Sequence, residues 1–232
     1  MPNKGGGQGL LPVAEARERI LAGLSPGQAK TCHLAASMGR VLASDVAARL
    51  SLPAEPVSGM DGYATRLADC GSVGTTLTRI GESAAGRPWT GTLGAGQAVR
   101  IFTGAVIPDG ADCIILQEDV DVSAEEDGAS VIIREVPREG RFIRPVGLDV
   151  TAGDIILAAG TVMSARLIAL ATSAGNTHVS LWPRPHVGVL STGDELVIPG
   201  ETPGRGQIIS SNATYLLAFV RACGGVPVNL GI

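Results

Sequence analysis

Apolar positions along the chain fall into three textures. In the first, Val13, Ala16, Ile20, Leu21 and Leu24 recur at helical spacing behind Pro12, and the pattern stops at Pro26-Gly27. Proline is tolerated in a first helical turn, where its missing N–H has no partner to lose, so the spacing predicts one amphipathic helix. A polar turn, a short helix around Leu34 to Met38 and an extended stretch from Val41 to Leu50 are expected next. From Leu52 to about residue 153 the apolar runs are short: Leu77-Ile80, Ala98-Phe102, Cys113-Gln117, Val131-Val136 and Arg141-Pro145. They are broken by Gly71, Gly81, Gly86-Arg87-Pro88, Pro108-Asp109-Gly110 and Asp127-Gly128. Short runs between such turn residues predict a small all-β domain.

The third texture is mixed. Asp154 to Leu157 reads as a strand, and Ser164 is placed to cap a helix from Ala165 to Ala174 with Gly175 in the stop position. This stretch is expected to pack with the first helix, which makes the β domain an insertion into a linker unit. From Arg184 the order is strand, helix, strand. Val187 to Leu190 is continuously apolar, Asn212 or Ser211 caps a helix through Cys223 that Gly224-Gly225 ends, and Val226 to Leu230 is the second strand. Such a unit is right-handed and parallel. Fully apolar strands need cover on both faces, and one helix does not supply it. The expectation is therefore a domain that is truncated or completed by another chain. The fold class is multi-domain α+β. Residues 1–9 are expected to form a flexible tail, and 10–50 plus 154–183 a linker domain of helices and extended strands. Residues 51–153 form the inserted small all-β domain, and 184–232 the start of a parallel α/β domain.

Composition narrows the function. Apolar residues make up 45% of the 232 positions and charged ones 17%, enough for real cores and too few charges for a disordered tail. Aromatics are 3%, so packing rests on Val, Ile, Leu and Ala, and 32 Gly with 14 Pro agree with many turns. A net charge of −4 without a basic stripe argues against nucleic-acid binding. No apolar run reaches the ~18 residues that span a bilayer, and the N-terminus lacks a signal-peptide core, so the expected location is cytoplasmic. Cys32, Cys70, Cys113 and Cys223 make no C-x-x-C pair, and His33, His178 and His186 show no triad spacing, so no metal cluster, disulfide framework or triad is predicted.

Four stretches join turn chemistry to an acid or hydroxyl. In Ser58-Gly-Met-Asp-Gly-Tyr-Ala64, Gly59 and Gly62 bracket Asp61 and let the backbone present its carboxylate. In Arg100-Ile-Phe-Thr-Gly104, a strand delivers Thr103 to a glycine turn, where its hydroxyl and the Gly104 amide are suited to an anion; a plain strand end is the competing reading. In the third, Arg138, Arg141 and Arg144 recur every three residues before Gly147 and Asp149. Guanidinium groups suit oxyanions, and a solvated basic edge is the commoner explanation. The fourth, Ser191-Thr-Gly-Asp-Glu195, follows a parallel strand at its carboxyl end, where open α/β sheets bind ligands. There Gly193 admits a phosphate, and Asp194 or Glu195 offers hard oxygen ligands to a divalent cation.

Taken in order, SGMDGYATR (58–66), RIFTGAVIPDGAD (100–112), RPVGLDVTAGD (144–154) and VLSTGDEL (189–196) resemble the MoeA/gephyrin-E family, the molybdopterin molybdotransferases. GQIISSN (206–212) and VNLGI (228–232) extend the resemblance, which covers the chain from about Leu11. It implies an α/β domain of the molybdopterin-binding type. It also implies an enzyme that takes adenylylated molybdopterin and molybdate. With a divalent cation such as Mg²⁺, that enzyme hydrolyses the adenylate, places molybdenum on the dithiolene and releases AMP. By position, Asp61, Thr103, Asp149 and Glu195 match family residues of the insertion site. Asp61 and Asp149 would shape the pocket, Thr103 would donate a hydrogen bond to an oxyanion, and Glu195 would help bind the cation. Ser191, Thr192, Gly193 and Asp194 would bind substrate. The resemblance further implies an elongated homodimer, with the site between the β domain of one subunit and the α/β domain of the other. A protein that donates the molybdopterin adenylate is a candidate partner, whereas nucleic acid and membrane are not.

Two departures stand out. Leu148 occupies a place where the family usually has an acidic residue. The sequence also ends at VNLGI, before the family's later Gly-rich and acidic loops, its Pro-Gly-Asn-Pro-type loop and its last β domain. The expectation is that these residues alone hold part of an active site and are inactive. The competing expectation is a catalytically silent short paralogue that dimerises or holds pterin or partner proteins.

Overall fold

The computed structural model describes residues 11–232, and the predicted tail of residues 1–9 lies outside them. The chain divides into two compact units. One is Val46–Leu157 with Ala169–Asn176; the other holds the chain up to Asp45, Ala158–Ile168 and Thr177–Ile232.

The first unit is built on a six-stranded mixed sheet. Its strands are β1 (Gly62–Thr65), β2 (Thr76–Ser83), β3 (Gln97–Ile101), β4 (Cys113–Leu116), β5 (Val120–Val122) and β6 (Ser130–Ile133). The spatial order is β4-β1-β3-β2-β6-β5, antiparallel except for the parallel β2–β3 pair. Strand alternation sends Tyr63, Leu77, Ala98, Cys113, Ile115, Val131 and Ile133 into one buried cluster. Ala64, Ile101, Ala105 and Ile114 form a second one. Each fully buried Ile or Leu adds roughly 1.5–3 kcal/mol of transfer free energy. Four of the five apolar runs expected here contain sheet strands, and the fifth holds Ile143-Arg144, which pairs with Val57-Ser58 outside the main sheet. Strand β1 replaces a predicted turn. Its four residues are all buried, because it is hydrogen-bonded on both sides, by β3 and by β4.

Gly62 opens β1 where no side chain fits. A Cβ there would overlap the carbonyl of Ile115 across the sheet and touch the Ile114 side chain. The backbone groups of neighbouring strands cannot yield as a side-chain tip would.

The second unit contains helix α1 (Val13–Ala22), the N-terminal turn of helix α2 (Ala165–Ser173), strand β7 (His186–Leu190), helix α3 (Ser211–Ala222) and strand β8 (Val226–Gly231). Strands β7 and β8 pair in parallel with α3 between them, the expected strand–helix–strand order. Three details differ from expectation. Pro12 is the N-cap of α1, its carbonyl accepting from Ala16, and the helix stops at Gly23, before Pro26-Gly27. Ser210, not Ser211 or Asn212, stands at the N-cap of α3, and its hydroxyl meets that of Ser191 instead of a helix amide. Helix α1 buries none of its residues; Val13, Ile20 and Leu21 are 86%, 65% and 59% exposed, so nothing among the described residues covers the stripe expected to pack inside.

Gly62→Ala is expected to lower the stability of the β unit by about 2–3 kcal/mol, the scale of an overpacked core site. The check is the urea midpoint of its cooperative unfolding. An unchanged midpoint would mean that β1 and β4 can separate freely.

Candidate active site

The Asp61 turn is held from several sides. Ser58 Oγ donates to the Met60 carbonyl and accepts from the Met60 amide, curling the turn on itself. The Ser58 amide donates to the Ala105 carbonyl at 2.9 Å, and the Gly104 amide donates to the Ser58 carbonyl at 2.8 Å. The Gly59 amide donates to the Phe142 carbonyl at 2.8 Å. Phe142 is the described non-glycine residue with a positive φ, 62°, a conformation that costs a side-chain-bearing residue roughly 1–2 kcal/mol. That conformation aims its carbonyl at Gly59. The Gln117 amide completes the cage by donating to the Asp61 carbonyl at 3.3 Å.

Within this cage Asp61 meets Thr103. Oδ1 of Asp61 accepts from the Thr103 amide at 2.7 Å and from the Thr103 hydroxyl at 2.8 Å. The backbone bond is the larger cause that holds the Asp61 carboxyl below its ordinary value. The hydroxyl bond and the charge of Arg100 add to it, and desolvation opposes them. A hydroxyl has one hydrogen, and in this structure that of Thr103 goes to Asp61. The Gly104 amide, also expected to serve an anion, is engaged with Ser58.

Asp149 lies in the same unit and takes a different partner. Arg144 donates to its Oδ2 at 2.7 Å, and both side chains are partly exposed. The Arg144 stem lies against Gly59, where a Cβ would meet its Cγ at 3.7 Å. Arg141 bonds Glu135 at 2.7 Å and stacks on Phe142. The arginine run is therefore no free basic edge: two of its three members are committed to acids.

The remaining predicted residues belong to the other unit. Ser191 follows β7; its amide donates to the Gly231 carbonyl at 3.0 Å and its hydroxyl meets Ser210. Ser191 and Thr192 line a small pocket with Ser211 and Asn212 at the start of α3. The Glu195 carboxylate folds back over Gly193, so close that a Cβ there would lie 2.5 Å from Oε2. Glycine at 193 is what lets the acid lie there. Asp194 is exposed. Among the described residues no three His, Cys, Asp or Glu side chains converge as a metal cluster would require.

The model of the MoeA N-terminal region, domains I and II, matches residues 11–175. The chain belongs to the MoeA family. It is 38% identical over 224 residues to the molybdopterin molybdenumtransferase of Haemophilus influenzae, covering 96% of this chain and 54% of that protein. With the enzyme of the same name from Nostoc it shares 37% over 201 residues, 85% of this chain and 45% of the other. A crystal structure of a molybdopterin biosynthesis MoeA protein from Pyrococcus horikoshii superposes with a TM-score of 0.85 at 29% identity, over 97% of this chain and 60% of that one. This MoeA-family chain thus spans about half the length of the curated relatives it matches, which are themselves named molybdopterin molybdenumtransferases. Its fold is MoeA-like: the described residues are mostly β, with three α-helices and a mixed sheet. No described helix is long and apolar enough to cross a membrane.

Three contributors to the candidate site went unread in the sequence: Arg100, Gln117 and Phe142. Arg100 was legible only as the start of a motif. Gln117 closed an apolar run and looked like a strand end. No local signal marks the backbone of Phe142.

Replacing Thr103 by Val keeps the amide bond and removes the hydroxyl. The Asp61 carboxyl should then titrate part of the way back towards the ordinary 3.8, followed by ¹³C NMR. A carboxyl held low in the folded state adds stability that is present above its unfolded value and lost as pH falls through the folded one. The variant should therefore lose its acid-side stability at a higher pH than the parent. An unshifted Asp61 titration would show that the hydroxyl bond does not form.

Proposed function

We propose that this chain supplies part of the catalytic site of a molybdopterin molybdenumtransferase, the activity named for its relatives. The observation that carries the reading is the Asp61–Thr103 pair on its caged turn. Asp61 is ionised at neutral pH, with one oxygen fixed by two donors. Such a group accepts hydrogen bonds and does not act as an acid. It suits the water that hydrolyses the phosphoanhydride of adenylylated molybdopterin. Water adds to phosphorus, the bond to the bridging oxygen breaks, AMP is released, and the water's proton passes to solvent, while Asp61 accepts the hydrogen bond that orients the water. Asp61 does not suit direct contact with molybdate, because like charges repel at close range.

Thr103 fixes Asp61, and Asp149 shapes the rim beside Gly59 through Arg144. In the other unit Ser191, Thr192, Gly193 and Asp194 form the substrate loop, and Glu195 is the ligand for a divalent cation. Mg²⁺ fits one carboxylate here, because it keeps several waters and takes its remaining oxygens from substrate phosphates. The same reading includes the linker domain around an inserted β domain, a cytoplasmic homodimer that shares its site between subunits, and delivery of the adenylate by a donor protein. Molybdate is the second substrate, placed on the dithiolene after the adenylate is cleaved.

In a version extended to the relatives' length, Asp61→Asn should reduce AMP release from adenylylated molybdopterin, molybdate and Mg²⁺ at least ~100-fold, the scale of losing one preorganised polar group. Its circular dichroism should not change, since a turn carboxylate supports little core. The 232-residue chain by itself should release no AMP. Wild-type turnover by Asp61→Asn would remove Asp61 from the mechanism, and turnover by the short chain would place a whole site within it.

A further inference from the structure

The register of β1 against β3 puts Arg100 opposite Tyr63. From there one planar group reaches both sides of the Asp61 turn. Nη1 of Arg100 donates to the Gly62 carbonyl at 3.0 Å, the first carbonyl after Asp61. Nη2 donates to Gln117 Oε1 at 2.6 Å, and Gln117 is the residue whose amide holds the Asp61 carbonyl. The guanidinium carbon lies 5.2 Å from the Tyr63 ring centre and 4.6 Å from that of Phe102, the residue before Thr103.

We propose that Arg100 is a positioning residue: its fork and its stacking on Tyr63 and Phe102 hold the Asp61 turn and the Thr103 turn in register with each other. The proposal rests on the reading of Asp61 as a site residue. The bonds that join Asp61 to Thr103 are short, but the two residues stand on different loops, 42 positions apart. Arg100 is on the strand that leads into Thr103, and it grips the backbone that leaves Asp61. Movement of either loop would break one of its contacts. A lysine cannot replace it. An ammonium on a flexible stem carries the charge, but it does not combine two fixed donor directions with a flat face for two rings.

The charge has a second effect. Arg100 is the charged group that acts on Asp61, and Glu118 stands one step away, accepting from the Gln117 side-chain amide at 3.1 Å. Removing the guanidinium should therefore loosen the turn and raise the Asp61 titration together. Replacing it with lysine should mainly loosen the turn.

The test is NMR on this chain with Arg100→Lys and Arg100→Gln. In both variants the Thr103 and Gln117 amides should exchange with solvent at least about tenfold faster, as expected when a charge-assisted hydrogen bond is lost. The amides of β2 and β6 should keep their protection, which separates positioning from general unfolding. The ¹³C titration of Asp61 should move upward more in Arg100→Gln than in Arg100→Lys. Unchanged exchange at Thr103 and Gln117 in both variants would overturn the proposal, as would full retention by the lysine variant. These readings do not depend on turnover. If full-length Asp61→Asn stays active while they come out as expected, the functional reading fails and the positioning of the turn stands.

Discussion

Strand β1 has hydrogen-bonded neighbours on both sides, and the shape of the candidate site follows from that confinement. Asp61 is the residue just before it, so its position is set by where β1 begins. Gly62 fixes that beginning, because the neighbouring backbone leaves no room for a Cβ. Thr103 is two residues beyond the end of β3, the strand paired with β1 on one side. Gln117 follows β4, the strand paired on the other. A donor pair and a backbone anchor thus reach Asp61 from flanking strands without a long loop. The rigidity is that of the sheet and not of the turn.

The same layout explains why the acid is held ionised. Backbone N–H groups point where strand ends put them, and the Thr103 amide has no choice of partner once β3 stops at Ile101. Phe142 contributes by a less comfortable route. Its left-handed backbone is tolerable because its carbonyl gains the Gly59 amide and because Arg141 lies against its ring.

Much of this layout was legible in the sequence, and the gaps have physical causes. Helical spacing found α1, cap and stop residues found α2 and α3, and short apolar runs between turn residues located most of the sheet. Strand β1 was missed because its letters, Gly-Tyr-Ala-Thr, begin with the residue that usually marks a turn. Only the tertiary pairing makes that glycine the start of a strand. The acid-bearing motifs were recognisable as an ordered set, yet their partners were not. That Thr103 serves Asp61, and that Arg144 serves Asp149, depends on register and on loop closure, which no local pattern encodes. The cap of α3 was misplaced by one residue or two because three hydroxyl or amide residues in a row compete for it, and Ser210 is engaged with Ser191.

Helix α1 has ten residues and buries none of them. Isolated helices of that length are marginal in water, because nucleation costs more than a few turns return. Its one charged pair, Glu15 with Arg19, is exposed and adds only a few tenths of a kcal/mol. The helix and any cover for its stripe of Val13, Ile20 and Leu21 are therefore linked equilibria. Whatever shields those side chains also completes the folding of the segment, so part of the affinity for such a cover is spent on ordering, and the helical content of this segment becomes a gauge of how much of it is covered.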